Sequence, residues 1–157
     1  SVEENSILGY EKQSRFSKHG IMNYRSIRQN AVKLIKDFRI KTESSATPCG
    51  ALSGGNQQKV VIARVFSQNP ELVICAQPTR GVDVSASEYI HEVMLAYRDS
   101  GKGILLISAD LDEIKKLSDN IAVIYKGRIV ALDRAENFDD ERLGLLMTGA
   151  AVEERQV

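Results

Sequence analysis

The sequence predicts an α/β fold: parallel strands flanked by helices, preceded by a helical segment. Three observations predict it. After Gly50, short apolar runs such as "LVICA" and "GILLIS" alternate with helical patterns, as in strand–helix–strand units. Residues 21–38 carry one apolar stripe at helical spacing (Tyr24, Ile27, Ala31, Leu34, Ile35, Phe38) on an otherwise charged segment. The 157 residues are 43% hydrophobic and 27% charged, enough for a globular core and not the balance of a disordered chain.

The elements follow in order. Residues 1–50 read as helical and irregular, opened by a capping-box spacing of Ser1 and Glu4 ahead of Ile7 and Leu8. "TESSATPCG", residues 42–50, is a loop by composition. Residues 53–67 form a helix begun by two glycines. Residues 72–76 read as a strand buried on both faces, because the run is apolar throughout. The next helix starts with a Ser85–Glu88 capping pair, shows Ile90, Val93, Met94 and Tyr97 on one face, and stops at Gly101. A strand over 103–108 follows, then a short helix capped by Asp110 and Glu113. "NIAVIYKGRIVALD" reads as two strands around a Lys126-Gly127 turn. A last helix spans 139–147, with a polar tail beyond it.

Lys+Arg and Asp+Glu both number 21, so the chain as a whole has no charge reason to bind nucleic acid. Between residues 11 and 41, however, nine Lys or Arg meet only Glu11 and Asp37. A solvated basic helical face is the simple account; a partner- or headgroup-facing surface is the other. Cys49 and Cys75 have no metal-ligand spacing and read as reduced thiols of a cytoplasmic protein, Cys75 inside a strand. No apolar run approaches the ~18 residues of a membrane span, and the start does not read as a signal peptide. Any membrane link must come through a partner.

"LSGGNQQKVVIAR", residues 52–64, carries the most chemistry. Gly54 and Gly55 remove side chains where the chain enters a helix. First-turn N–H groups lack intrahelical partners and the helix dipole is positive there, so the site suits a phosphate. Ser53 adds a hydroxyl donor. Alone, SGG is an ordinary helix start.

Its surroundings make it specific. "LSGGNQQKVVIAR", then "LVICAQPTRGVD", then "ILLISADLDEI" resemble the ATP-binding cassette (ABC) ATPases in the order and spacing of signature motif, Walker B strand, D-loop and switch region. "LSGGNQQK" with "QPTRGVDV" most resembles the second, degenerate cassette of double-cassette ATPases in sugar and nucleoside importers. The resemblance implies the core of a P-loop NTPase (RecA-like), with a helical subdomain over 1–50 and the C-terminal part of the ATPase core over 51–157. It implies that Ser53, Gly54 and Gly55 touch the γ-phosphate of ATP held by an opposite cassette. Gln57 matches the polar position beside them. Asp83 matches the D-loop aspartate at the interface of two cassettes, where it can also cap a helix.

Three positions depart from the family pattern. Ala76 stands where the Walker B aspartate holds Mg²⁺ through water; a methyl group cannot. Gln77 stands for the glutamate that polarises the attacking water; an amide orients water but accepts a proton poorly. Ala109 stands for the switch histidine. Each such loss typically costs ~10²–10⁴-fold, so this cassette's own site is not expected to hydrolyse ATP at a useful rate. No G-x-x-x-x-G-K-[ST] loop occurs in the sequence. The chain therefore reads as an incomplete core without the phosphate-loop strand, which the family places between strands like 103–108 and 120–126. Exposed strand edges and self-association, or a rearranged sheet, are the expected result.

The expected role is thus a truncated ATP-binding subunit of a sugar or nucleoside importer, cytoplasmic and held at the inner membrane face by permease subunits. It would lend its signature to a second nucleotide-binding cassette. ATP and Mg²⁺ belong to the intact transporter; no tight binding, metal site or activity is expected of this chain alone, and no nucleic-acid partner. The other readings are a ribosome- or DNA-associated ABC module, or a non-catalytic interaction domain. The DNA-maintenance type needs long coiled coils that residues 1–50 cannot supply. His91 reads as structural, His19 has no catalytic neighbour, and Tyr10 and Tyr24 read as core or interface. Lys59 and Arg64 are expected chiefly in salt bridges.

Overall fold

The computed structural model describes residues 1–150. The polar tail expected beyond the last helix lies outside the described residues. The chain divides into two compact units, one of residues 1–105 and one from Leu106 onward.

The first unit opens with α1, Val2–Asn5, closed by the predicted capping box: Ser1 accepts from the Glu4 N–H at 3.2 Å, and the Glu4 carboxylate returns to the chain start. A small hairpin follows, β1 (Ser17–Lys18) against β2 (Ile21–Met22), antiparallel. It was not expected, because His19 and Gly20 lack the usual turn dipeptide, yet both take positive φ, 52° and 80°. Asn23 then caps α2, Tyr24–Asp37. Ile27, Ala31 and Leu34 are its buried stripe; Tyr24 is exposed, so the apolar face is shorter than the spacing predicts. Val2, Leu34 and Ile40 close a core with Val60 and Ala63 of α3, Gly54–Phe66.

Glu3 fastens this core. Its carboxylate accepts from Arg28 Nε at 3.2 Å and from Ser45 Oγ at 2.9 Å, and its N–H donates to the Ser45 carbonyl at 2.8 Å. One buried residue thereby joins α1, α2 and the 42–47 loop. The Arg28 hydrogen bond holds its carboxyl below the usual glutamate range, ahead of the opposing effect of burial. A depressed carboxylate contributes stability that is present above the ordinary pKa of about 4.3 and lost as pH falls through the folded value. Glu3→Gln is expected to cost about 1–3 kcal/mol near neutrality, and the gap to the parent should narrow on acidification. Urea unfolding at pH 7 and pH 3 checks both; an equal gap at the two pH values would contradict the assignment.

Next come β3 (Leu72–Ala76), α4 (Val84–Asp99) and β4 (Gly103–Ile107). β3 and β4 form a two-stranded sheet. The Gly103 N–H donates to the Glu71 carbonyl at 2.8 Å, start against start, which is the parallel arrangement a crossover helix requires. The expectation that β3 is buried on both faces is corrected here. Val73 and Cys75 are buried, but Leu72 and Ile74 are 59% and 64% exposed. Leu105 and Ile107 of β4 are exposed too. The run is apolar on both faces, but only one is covered.

In the second unit Asp110 caps α5, Leu111–Leu117, as predicted, accepting from the Glu113 N–H at 3.1 Å. β5 (Asn120–Tyr125) and β6 (Arg128–Arg134) make an antiparallel hairpin. Lys126 and Gly127 take φ of 45° and 75°, the pair of positive values of the predicted two-residue turn. Asp139 caps α6, Asp140–Thr148. Ile121 and Val123 pack with Phe138, Leu143 and Leu146. Among the described residues, β5 and β6 make a two-stranded sheet.

Candidate functional site

Among the described residues, the start of α3 differs from those of the other α-helices. Ser1, Asn23, Asp83, Asp110 and Asp139 each accept a hydrogen bond from their own helix. Ser53 occupies the N-cap position with extended backbone but makes no such bond. Its hydroxyl is therefore not spent on the N–H groups of the first turn, which an incoming acceptor can take. Ser53, Gly54 and Gln57 are exposed, whereas Gly55 is buried. Gln57 Nε2 donates to the Leu52 carbonyl at 2.8 Å, which fixes its side chain beside the turn.

The segment after β3 folds against this turn. Ala76 is exposed at the strand end. Gln77 takes φ of 50° and leads into a turn in which the Arg80 N–H donates to the Gln77 carbonyl at 3.2 Å. Asp83, not Ser85, begins α4: its Oδ1 accepts from the Ala86 N–H at 2.9 Å. The predicted Ser85–Glu88 capping pair is thus corrected. Both spacings suit a helix start, and the turn reaches helical backbone two residues earlier. A Cβ on Gly55 would lie 2.6 Å from Ala86 Cβ and 3.0 Å from Asp83 Oδ2; one on Gly54 would lie 3.2 Å from the Gly81 carbonyl. The fold therefore brings Ser53, Gly54, Gly55 and Asp83 together, and two glycines set the distance. Ala109 lies in the second unit, exposed, just before the Asp110 cap.

The start of α3 has the chemistry to take an anion such as a phosphate. The α3 start offers a hydroxyl and open N–H groups at the positive end of a helix. Ala76 offers only a methyl group, and among the described residues no cluster of three or more His, Cys, Asp or Glu could hold a metal ion.

Other candidates resolve into structure. Lys59 stacks on the Tyr89 ring at 4.5 Å and Arg64 Nη1 donates to the Asn5 carbonyl at 3.3 Å, in place of the expected ion pairs among the described residues. An aromatic ring and a backbone carbonyl lie within their reach, and neither partner is legible from local spacing. Tyr10 packs on the Ile7–Phe16–Ile27 cluster. His19 is exposed at the hairpin tip and His91 half-buried on α4. Neither cysteine is in a disulfide, and burial pushes the Cys49 thiol up, away from reactivity. The side chain of Asn56 was not singled out by sequence. Its two bonds reach Ser53 and the distant Lys41, a contact no local pattern announces.

Residues 1–80 match the family described as ABC transporter. The guanosine import ATP-binding protein NupO of Bacillus subtilis strain 168 is 42% identical over 153 residues, covering 98% of this chain and 30% of that protein. The glucose import ATP-binding protein TsgD13 of Haloferax volcanii is 42% identical over 151 residues, covering 95% of this chain and 28% of that protein. The chain thus spans about 30% of the length of such relatives. Among solved structures, a nucleotide-free ATP-binding cassette from an ABC transporter superposes with a TM-score of 0.69 at 23% identity, covering 100% of this chain and 62% of that one. An inward-facing putative metal-chelate type ABC transporter gives 0.75 at 16% identity, covering 94% and 58%. At these identities the structures speak for the fold.

Proposed function

The chain belongs to the ABC transporter family, and from that premise we propose that it is part of the ATP-binding subunit of an importer for simple sugars or nucleosides. Relatives named for guanosine and glucose import, each 42% identical, support that substrate class. The observation that carries the site reading is the start of α3, where Ser53 makes no cap bond and lies exposed with Gly54 while Gly55 is buried against α4. In this reading Ser53, Gly54 and Gly55, with Gln57 beside them, complete the ATP site of a second cassette. Their N–H groups and the Ser53 hydroxyl take charge from the terminal phosphate, at the positive end of α3. Asp83 holds α4 against that turn and faces the same interface. The chain's own site is degenerate: Ala76 cannot hold Mg²⁺, Gln77 cannot take a proton, and Ala109 supplies no imidazole. ATP and Mg²⁺ supply the phosphoryl chemistry where a competent partner site binds them.

Residues 1–50 form the helical subdomain that meets permease subunits, and 51–157 the C-terminal part of the ATPase core. Among the described residues no helix is long and apolar enough to cross a membrane, so attachment at the inner face of the cell membrane is assigned to those subunits. Affinity capture of the complete protein from detergent-solubilised cells is expected to bring down membrane permease subunits. Capture of ribosomes in their place would overturn the importer reading.

In isolation the chain is expected to self-associate. Among the described residues each sheet has two strands, hence only edges, and Leu72, Ile74, Leu105 and Ile107 are exposed. Sedimentation velocity should show concentration-dependent oligomers; a compact monomer at every concentration would refute this.

A further inference from the structure

We infer that Asn56 is a positioning residue for the Ser53 hydroxyl, tying its direction to the chain segment that leaves α2; the inference rests on the reading of Ser53 above. The Lys41 N–H donates to Asn56 Oδ1 at 2.7 Å. A backbone N–H can only donate, so the amide oxygen must face it and the amide nitrogen must face the other way. Asn56 Nδ2 then donates to Ser53 Oγ at 2.9 Å. The orientation of both groups follows from that one obligatory donor.

Two consequences follow for Ser53. Its oxygen already accepts a bond, and its hydrogen cannot point back at an NH₂ group. The hydrogen is therefore left for another acceptor, and Ser53 lies exposed, where the proposed phosphate would sit. The same bond diverts Ser53 from capping α3, so one side chain keeps both the hydroxyl and the first-turn N–H groups available.

The far end of the relay is anchored. Ile40 is buried with Leu34 of α2 and with Val60 and Ala63 of α3, and its N–H donates to the Ile35 carbonyl at 3.0 Å. Arg39, at φ of 50°, turns the chain out of α2 into this contact. Lys41 is thus held against the helix that begins at Ser53. A shift of the α2 exit relative to α3 would stretch the Lys41–Asn56 bond and release the amide. The helical segment proposed to meet the permease therefore has a side-chain link to the hydroxyl proposed to meet ATP.

The test compares ATP turnover in the complete, assembled transporter for Ser53→Ala, Asn56→Ala, Asn56→Asp and the Ser53→Ala/Asn56→Ala double variant. Asn56→Ala is expected to lower kcat about five- to tenfold, and the double variant to be no slower than Ser53→Ala alone. Asn56→Asp keeps the Lys41 bond but turns a donor into an acceptor, so Ser53 donates inward and kcat falls further than in Asn56→Ala. Additive losses, or an unchanged kcat in both Asn56 variants beside a slow Ser53→Ala, would overturn the positioning role. An unchanged kcat in Ser53→Ala would instead overturn the reading of Ser53, and the relay's role with it. On this chain alone, amide hydrogen exchange at Lys41 is expected to quicken in Asn56→Ala and not in Ser53→Ala. Equal protection in all three proteins would refute the geometry itself.

Discussion

Ser53→Arg in the complete transporter is expected to reduce ATP turnover by about 10²-fold or more, while Gln77→Ala changes it by less than about tenfold. The first number follows from position. Ser53 is exposed, and its Oγ is bonded to Asn56 Nδ2 rather than to the backbone of α3. An arginine there projects outward without disturbing a core, so the protein should fold and lose activity together with the space for a terminal phosphate. The second number follows from chemistry. Gln77 is an amide where the family uses a carboxylate, and removing a group that already accepts a proton poorly removes little. Turnover of the two variants in reconstituted membranes, beside melting curves showing both folded, decides the matter. Similar losses in both would mean that this cassette's own site contributes to hydrolysis, against the proposed division of labour.

The proposed asymmetry between those residues is read from the sequence alone, from side-chain identity and spacing. Local devices were legible for the same reason. The Ser1–Glu4 box, the Asp110 cap and the Lys126-Gly127 turn each involve residues within a few positions of one another. What escaped depends on the fold. The Glu3–Ser45 bond and the Asn56–Lys41 bond join residues that only tertiary packing brings together. Periodicity cannot say how many faces of an apolar strand are covered, so β3 was read as buried on both. Two cap candidates two residues apart, Asp83 and Ser85, are equally good locally, and the turn after β3 chooses between them. The hairpin at His19-Gly20 depends on a histidine at positive φ, a conformation uncommon for any residue but glycine.

The second large effect tests the joint between signature and D-loop. Gly55→Ala is expected to destabilise the first unit by about 1–3 kcal/mol, although alanine is ordinarily the better helix former. Gly55 is the second residue of α3, where the helix-propensity gain is smaller than the ~1 kcal/mol of a helix interior. Against that gain stands a methyl group 2.6 Å from Ala86 Cβ and 3.0 Å from Asp83 Oδ2. Neither neighbour can yield alone. Ala86 is buried in the first turn of α4, and Asp83 is held by its bond to the Ala86 N–H. Relief must come from moving α4 off α3, which also moves Asp83 from the Ser53–Gly55 turn. Gly54→Ala meets only the Gly81 carbonyl at 3.2 Å and should cost less. Ala86→Gly removes the opposing methyl, so the double variant Gly55→Ala/Ala86→Gly should be more stable than the two single losses sum to. Urea unfolding of the four proteins measures that coupling. Additive losses would show that the glycine serves backbone freedom rather than contact. A positive coupling would place the spacing between signature and D-loop on the missing side chain of Gly55.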